Sequence, residues 1–286
     1  MKFNISTLLF LLSSYCTFAQ LPDCDIWLFD IKDSAGQIVF QNPINITHKK
    51  GYDNQPAFSP DSKYILFASQ PDTNKPTDIY KYDILKKTTA RLTNTPLSEY
   101  SPTFMPDGKN ISVVVVEKDN AQRLWKLPLA GGPASLIMPN VDSIGYHCWI
   151  NKDSLALFVL TKPFTLQLAG VQSQKTSVLA DSLGRCMRMR DGALWYTTAA
   201  GHFSNVYAYS LKSKQSTLLG MIESEDFCFR GKESIWSCSD NTIVSGYMNS
   251  KSGAAEILNL EKYGITKPTR ITVSPDGKKL AVVSIK

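Results

Sequence analysis

Ile271-Thr272-Val273-Ser274-Pro275-Asp276-Gly277-Lys278-Lys279-Leu280 reads as a short strand, a tight turn and the start of a longer apolar strand. Proline presets the backbone for a turn, aspartate caps it from its side chain, and glycine accepts a left-handed conformation. The phrase recurs at Pro56-Ala57-Phe58-Ser59-Pro60-Asp61-Ser62-Lys63-Tyr64-Ile65 and at Pro102-Thr103-Phe104-Met105-Pro106-Asp107-Gly108-Lys109-Asn110-Ile111. Worn copies of the turn stand at Asn151-Lys152-Asp153-Ser154, Arg190-Asp191-Gly192 and Gly231-Lys232-Glu233-Ser234. Asp61, Asp107 and Asp153 are spaced by 46 positions, Asp153 and Asp191 by 38, and Asp191 and Asp276 by 85, room for two units. A period of about 40–45 residues with several strands per unit is the pattern of a β-propeller. The reading is therefore all-β, with six blades of four strands.

The first unit shows the order within a blade. Pro56 to Ser59 is a short strand and Tyr64 to Ser69 a β-rich buried one. Asp78-Ile79-Tyr80-Lys81-Tyr82-Asp83 alternates apolar and polar, as a half-exposed strand does. Thr89 to Thr93 is a polar outer strand. The third strand returns as Arg123 to Leu127 and as Asn205 to Tyr209. The chain ends after two strands of its last unit and begins with two strands that have no predecessors, Asp25 to Asp30 and Gln37 to Phe40. The N-terminal pair is expected to complete the last blade, which closes the ring and removes free sheet edges.

Lys2, the apolar run Leu8-Leu9-Phe10-Leu11-Leu12 and the small-residue ending Thr17-Phe18-Ala19 predict a secretory signal, residues 1–19, cut before Gln20. Lipidation at Cys16 is the weaker alternative, since Tyr15 occupies a position that normally takes a small residue. Residues 20–286 are read as one propeller domain, with no later stretch long enough to span a membrane. The expected location is periplasmic or secreted.

The 286-residue chain carries a formal charge of +6, dispersed along its length. Its densest basic groups, His48-Lys49-Lys50 and Lys86-Lys87, fall far short of a nucleic-acid-binding stripe. Beyond the signal five cysteines remain: Cys24, Cys148, Cys186, Cys228 and Cys238. Their odd number leaves at least one without an intramolecular partner, and Cys228 with Cys238 is the candidate cross-hairpin bridge. No C-x-x-C is present, and His48, His147 and His202 lack metal-ligand spacing, so neither a cofactor nor a metal is expected.

Ser-Pro-Asp-Gly-Lys followed by an apolar strand resembles the Pro-Asp propeller repeat of TolB-like periplasmic proteins. The resemblance extends to Asp78-Ile79-Tyr80-Lys81-Tyr82-Asp83 and Arg91-Leu92-Thr93, and it is strong in units one, two and six and faint in the others. It implies an envelope protein that presents one propeller face to partner proteins. TolB itself carries an α/β domain before its propeller, for which this chain has no room beside six blades. The repeats also resemble the propellers of prolyl oligopeptidase-type enzymes, but their G-x-S-x-G elbow is absent.

In such a ring the first strand of each blade lines the central channel, and the residues entering it form one mouth. The Pro-Asp turns lie at the other end and are structural. The candidate mouth residues are Asp53, Asn54, Glu99, Tyr100, Tyr146, His147, Arg185, Glu225, Asp226 and Arg270. Aromatics with both signs of charge on one concave surface suit recognition of a protein or peptide partner. A glycan or small ligand in the channel is the second reading, tied to Trp27, Trp125, Trp149, Trp195 and Trp236 as stacking surfaces. A hydrolase or lyase pairing His147 with Glu99 or Asp226, with Cys148 or Cys186 as nucleophile, is third. The expectation is a non-catalytic binder with Glu99 exposed.

Overall fold

The computed structural model describes residues 21–34, 37–72, 75–231, 234–246 and 253–286. The signal segment, and Lys232 and Glu233 of the fifth turn, lie outside the described residues. Six four-stranded antiparallel sheets form the blades. Their innermost strands are Asp53–Phe58, Ser98–Phe104, Ile144–Asn151, Leu183–Arg190, Phe227–Arg230 and Pro268–Val273. Blade 6 is composite. Its inner strands Pro268–Val273 and Lys279–Ile285 are continued outward by Cys24–Ser34 and Gln37–Asn45. The closing ladder runs without interruption from Cys24 opposite Ile285 to Asp30 opposite Lys279, as the two termini predicted.

The second strands of five blades, Ala193–Ala200 of blade 4 being the exception, are buried on both faces along nearly their whole length. Successive side chains then serve different neighbours. Along Lys279–Ile285, Leu280 and Val282 pack with Trp236 and Ile243 of blade 5. Ala281 and Val283 pack with Ile65, Phe67 and Ile79 of blade 1. Each fully buried Val, Ile or Leu of this kind contributes about 1.5–3 kcal/mol.

The Pro-Asp turns bear out their structural reading. Asp61 Oδ1 accepts the Ser59 hydroxyl at 2.7 Å and the Lys63 amide at 3.2 Å. Asp276 repeats this with Ser274 at 2.6 Å and the Lys278 amide at 3.0 Å. Gly277 is left-handed with φ 73°, and Ser62 holds the same conformation at φ 60° without glycine's freedom.

The inner strands begin earlier than the sequence suggests. The first starts at Asp53 rather than Pro56, and the second at Ser98. Asp53 and Glu99 therefore sit within ladders, opposite Ser69 and Val115, and are 0% and 3% exposed. This overturns the expected exposure of Glu99. Each acid joins a polar set at a blade boundary. Asp78 pairs with Arg91 and accepts the Thr95 amide, the Ile79 amide donates to Thr93, and Thr95 Oγ1 donates to Glu99 Oε1 at 3.0 Å. One boundary earlier, Asp25 accepts Asn45 and Thr47, the Ile26 amide donates to Thr47, and Lys49 lies 3.2 Å from Asp53. In blades 3 and 4 the same register position holds Ile144 and Leu183, opposite Val159 and Thr198. The repeat fades in the sequence where this polar set gives way to apolar packing.

All five described cysteines are free thiols. Cys228 stands opposite Trp236, two residues short of Cys238, so the hairpin does not align the proposed bridge. The thiols link blades by hydrogen bonds instead. Cys24 Sγ donates to the Asp53 carbonyl at 3.3 Å and Cys186 Sγ to the Phe227 carbonyl at 3.4 Å. Burial pushes the Cys24 and Cys148 thiols up to about 11 and raises those of Cys186, Cys228 and Cys238 as well.

Two expectations follow from these burials. Ellman's reagent at pH 8 should leave the four buried thiols, Cys24, Cys186, Cys228 and Cys238, unlabelled in the folded protein and label them in denaturant; rapid native labelling of these four would contradict their burial. Burial also raises the Glu99 pKa above its ordinary 4.5. Its contribution to stability is therefore fully present below that value and falls as pH rises through the folded pKa. Glu99→Gln should raise the melting temperature at neutral pH, with the gain vanishing in acid. Glu99→Lys should cost about 3–5 kcal/mol by burying an unpaired cation beside Arg91. A Glu99→Lys protein with unchanged melting temperature would place the side chain in solvent.

Candidate functional site

All six blades contribute to a cavity of about 100 Å³ in the channel. Its wall includes Gln55, Ser101, Tyr146, His147, Arg185, Arg188, Asp226 and Arg270. Backbone irregularity places these groups. Ladder registers slip between Asn54 and Ala57, Tyr100 and Thr103, Ile144 and Tyr146, Leu183 and Met187, and Pro268 and Arg270. Bulges break the strict alternation of a strand and re-aim the residues they contain. Gln55 and Ser101 take left-handed conformations, φ 60° and 52°, each just before a proline. Gly184 permits the close approach needed beside Arg185, because a β-carbon there would lie 2.4 Å from Thr197 Oγ1.

Of the sequence-predicted residues, Tyr146, His147, Arg185, Asp226 and Arg270 meet at this cavity. Glu225 lies on an adjoining cleft. Asp53, Asn54, Glu99 and Tyr100 are not among the lining residues. Asp53, Asn54 and Glu99 are buried, and Tyr100 is half-buried, edge-on to Tyr52 with ring centroids 6.1 Å apart. The sequence reading missed Arg188; Gln55 and Ser101 belong to the strand-entry stretches 52–55 and 98–101 that it places at the mouth. Arg188 carried a usable signal, a charge inside the inner-strand run Cys186-Met187-Arg188-Met189. Gln55 and Ser101 depend on bulges that the residue pattern does not announce.

The electrostatics are those of a donor-rich pocket. Asp226 is 2% exposed, with Arg188 Nη2 3.4 Å from its Oδ1. Arg185 Nε lies 3.4 Å from Glu225 Oε2, and its guanidinium also donates to the Thr269 carbonyl. Arg270 Nη2 donates to Tyr146 Oη at 2.8 Å, and the guanidinium carbon is 4.8 Å from that ring's centre. Arg270 forms no ion pair among the described residues, and its Nε is buried without a hydrogen-bond partner.

His147 Nε2 is 2.6 Å from Ser112 Oγ, which accepts Trp149 Nε1–H at 2.9 Å. The Ser112 hydroxyl also lies 3.4 Å from the Thr103 carbonyl, so its one proton is shared between that oxygen and Nε2 as acceptors. Nδ1 is buried without a partner. Burial drops the His147 pKa to about 3, so the ring is neutral at physiological pH. The acid–base pairs considered from the sequence do not form: Glu99 is bonded to Thr95 and Asp226 is paired with Arg188. The raised thiol pKa values of Cys148 and Cys186 run against a thiolate nucleophile.

Tyr146 and Arg185 also line a cleft of about 520 Å³ that adjoins the channel over blades 3 and 4. Leu160, Phe164 and Phe203 of this cleft are 37%, 46% and 44% exposed. Tyr146, Phe158 and Phe164 form an aromatic line with successive centroids 5.3 and 5.1 Å apart. The tryptophans do not offer exposed stacking surfaces. Trp236 is fully buried, Trp149 is 9% exposed, Trp195 packs edge-on against Phe229, and Trp27 and Trp125 are half-buried.

No helix among the described residues is long and apolar enough to cross a membrane. No protein-family model and no curated protein matches the chain. Solved structures do. A candidate TolB from Agrobacterium tumefaciens superposes with a TM-score of 0.66 at 13% identity, over 93% of this chain and 99% of its own. TolB from Acinetobacter baumannii gives a TM-score of 0.59 at 13% identity over 92% of this chain, which spans 64% of that protein's length. An oligogalacturonate lyase from Vibrio parahaemolyticus gives 0.55 at 12% identity, covering 91% of this chain and 86% of its own. At these identities the likeness is one of fold, and it describes the chain as a TolB-like six-bladed β-propeller.

Proposed function

We propose that this propeller is a non-catalytic module working outside the cytoplasm, and that it binds a protein or peptide partner at the channel mouth. The observation that carries this reading is the continuity of two surfaces. The arginine-rich channel and the apolar cleft share Tyr146 and Arg185. Partly exposed Leu160, Phe164 and Phe203 gather in that cleft. Exposed apolar clusters beside arginine and tyrosine are the composition of protein-binding hot spots. The fold-level likeness to TolB supports a binding role, and the signal-like N-terminus supports an envelope or secreted location.

Two features argue against the other readings. A glycan site built on stacking tryptophans lacks its exposed indoles. A hydrolase or lyase built on His147 would use a ring whose pKa burial drops to about 3, and the hydroxyl beside it, Ser112, is fully buried and also accepts Trp149 Nε1–H. The test is a photo-crosslinking residue at Phe164, irradiated in the native envelope fraction, with a control probe at Asp107 in the far turn. The expected result is one dominant protein adduct from position 164, absent from position 107 and lost on Phe203→Asp. No adduct at 164, or equal adducts at both positions, would contradict the proposal.

A further inference from the structure

The geometry points to a carboxylate-binding site at the channel constriction, centred on Arg270, for a carboxylate carried by a peptide whose apolar side chain occupies the adjoining cleft. This inference rests on the partner-binding reading above and specifies the chemistry of its occupant.

The charge balance is the first argument. Three guanidinium groups, Arg185, Arg188 and Arg270, reach the cavity wall; of the carboxylates near them, Asp226 lines the cavity beside Arg188, and Glu225 stands on the adjoining cleft, 3.4 Å from Arg185 Nε. Those two are each taken by an arginine, so one positive charge remains, and it is Arg270's. A guanidinium held against Tyr146 with its Nε buried and unpartnered is a preorganised but incomplete hydrogen-bonding fork.

The neighbouring groups have the same polarity. Tyr146 Oη accepts from Arg270 and keeps its own proton to donate. Gln55 Oε1 accepts the Ser101 amide at 2.7 Å, which leaves the carboxamide nitrogen unused. Asp226, the wall's carboxylate acceptor, is engaged by Arg188. Donors facing a single surplus positive charge select a monoanion. A dianion such as phosphate would meet Asp226 with a charge left uncompensated.

Size and continuity specify the rest. About 100 Å³ takes the carboxylate end of a peptide and not a large side chain as well. The remainder of the occupant must leave past Tyr146 and Arg185 into the cleft of about 520 Å³, where Phe164 and Phe203 are exposed. A peptide carrying one carboxylate within reach of an aromatic or aliphatic side chain matches both compartments.

Calorimetry on the protein lacking residues 1–19 tests this with four probes at low salt. These are acetyl-Phe-Gly-Gly with a free carboxylate, the same peptide amidated, acetyl-Phe-Gly-Asp-amide, and inorganic phosphate. At least one carboxylate peptide should bind, about tenfold or more tightly than the amidated control, and should weaken as salt rises. Arg270→Gln should abolish the difference between acid and amide, and Arg270→Lys, which keeps the charge, should retain part of it. Binding by the free-acid peptide alone identifies a C-terminal carboxylate as the occupant, and binding by the Asp-amide peptide alone an acidic side chain. Equal affinity for acid and amide, stronger binding of phosphate, or no binding by either acid peptide overturns the inference. Partner capture at Phe164 undiminished by Arg270→Gln would retain the mouth-binding reading and remove the carboxylate site. Carboxylate binding without any captured partner would do the reverse.

Discussion

Seven consecutive residue pairs, from Cys24 opposite Ile285 to Asp30 opposite Lys279, join the two ends of the chain. Everything at the channel depends on that seam. Blade 6 owes its inner half to the C-terminus and its outer half to the N-terminus, and its faces pack on blade 5 through Leu280 and Val282 and on blade 1 through Ala281 and Val283. Without the ladder, the strand carrying Arg270 would lie on a two-stranded remnant, and such hairpins are marginal alone. With it, Arg270 reaches across the channel to Tyr146, 124 positions away in sequence.

The ring separates the apolar contacts between blades from the channel-lining polar groups by position. Second strands carry the apolar contacts between blades, and the Pro-Asp turns fix one end with short side-chain hydrogen bonds. Innermost strands are interrupted by bulges at the channel, which releases Gln55, Ser101, Tyr146 and Arg185 from the alternation of a regular ladder. The acids at the first two blade boundaries, Asp53 and Glu99, belong to the packed layer between blades. They are buried against Lys49 and Thr95 and do not line the channel cavity.

The architecture was legible because it repeats. Three intact Pro-Asp turns established the period, and strand composition supplied four strands per unit, down to Tyr64–Ser69 and Asp78–Asp83, whose bounds the structure reproduces. The site was legible only in part. Tyr146, His147, Arg185, Asp226 and Arg270 were found because they immediately precede or open inner strands. Asp53 and Glu99 were misplaced because polarity was read as exposure, whereas a buried hydrogen-bonded set uses the same residue types. Arg188 was missed because attention stopped at the strand's entrance. The cleft at Phe164 and Phe203 is built from strand ends and connections of two neighbouring blades, a proximity that no local pattern encodes.

A double-mutant cycle between Tyr146 and Arg270 measures that dependence most directly. Tyr146→Leu, Arg270→Met and the double variant would be compared by reversible unfolding. The ring geometry predicts a coupling of about 1 kcal/mol between residues from blades 3 and 6, from the hydrogen bond and the cation–π contact together. Strictly additive effects would mean that the two side chains do not meet, and that the channel mouth is not assembled as described.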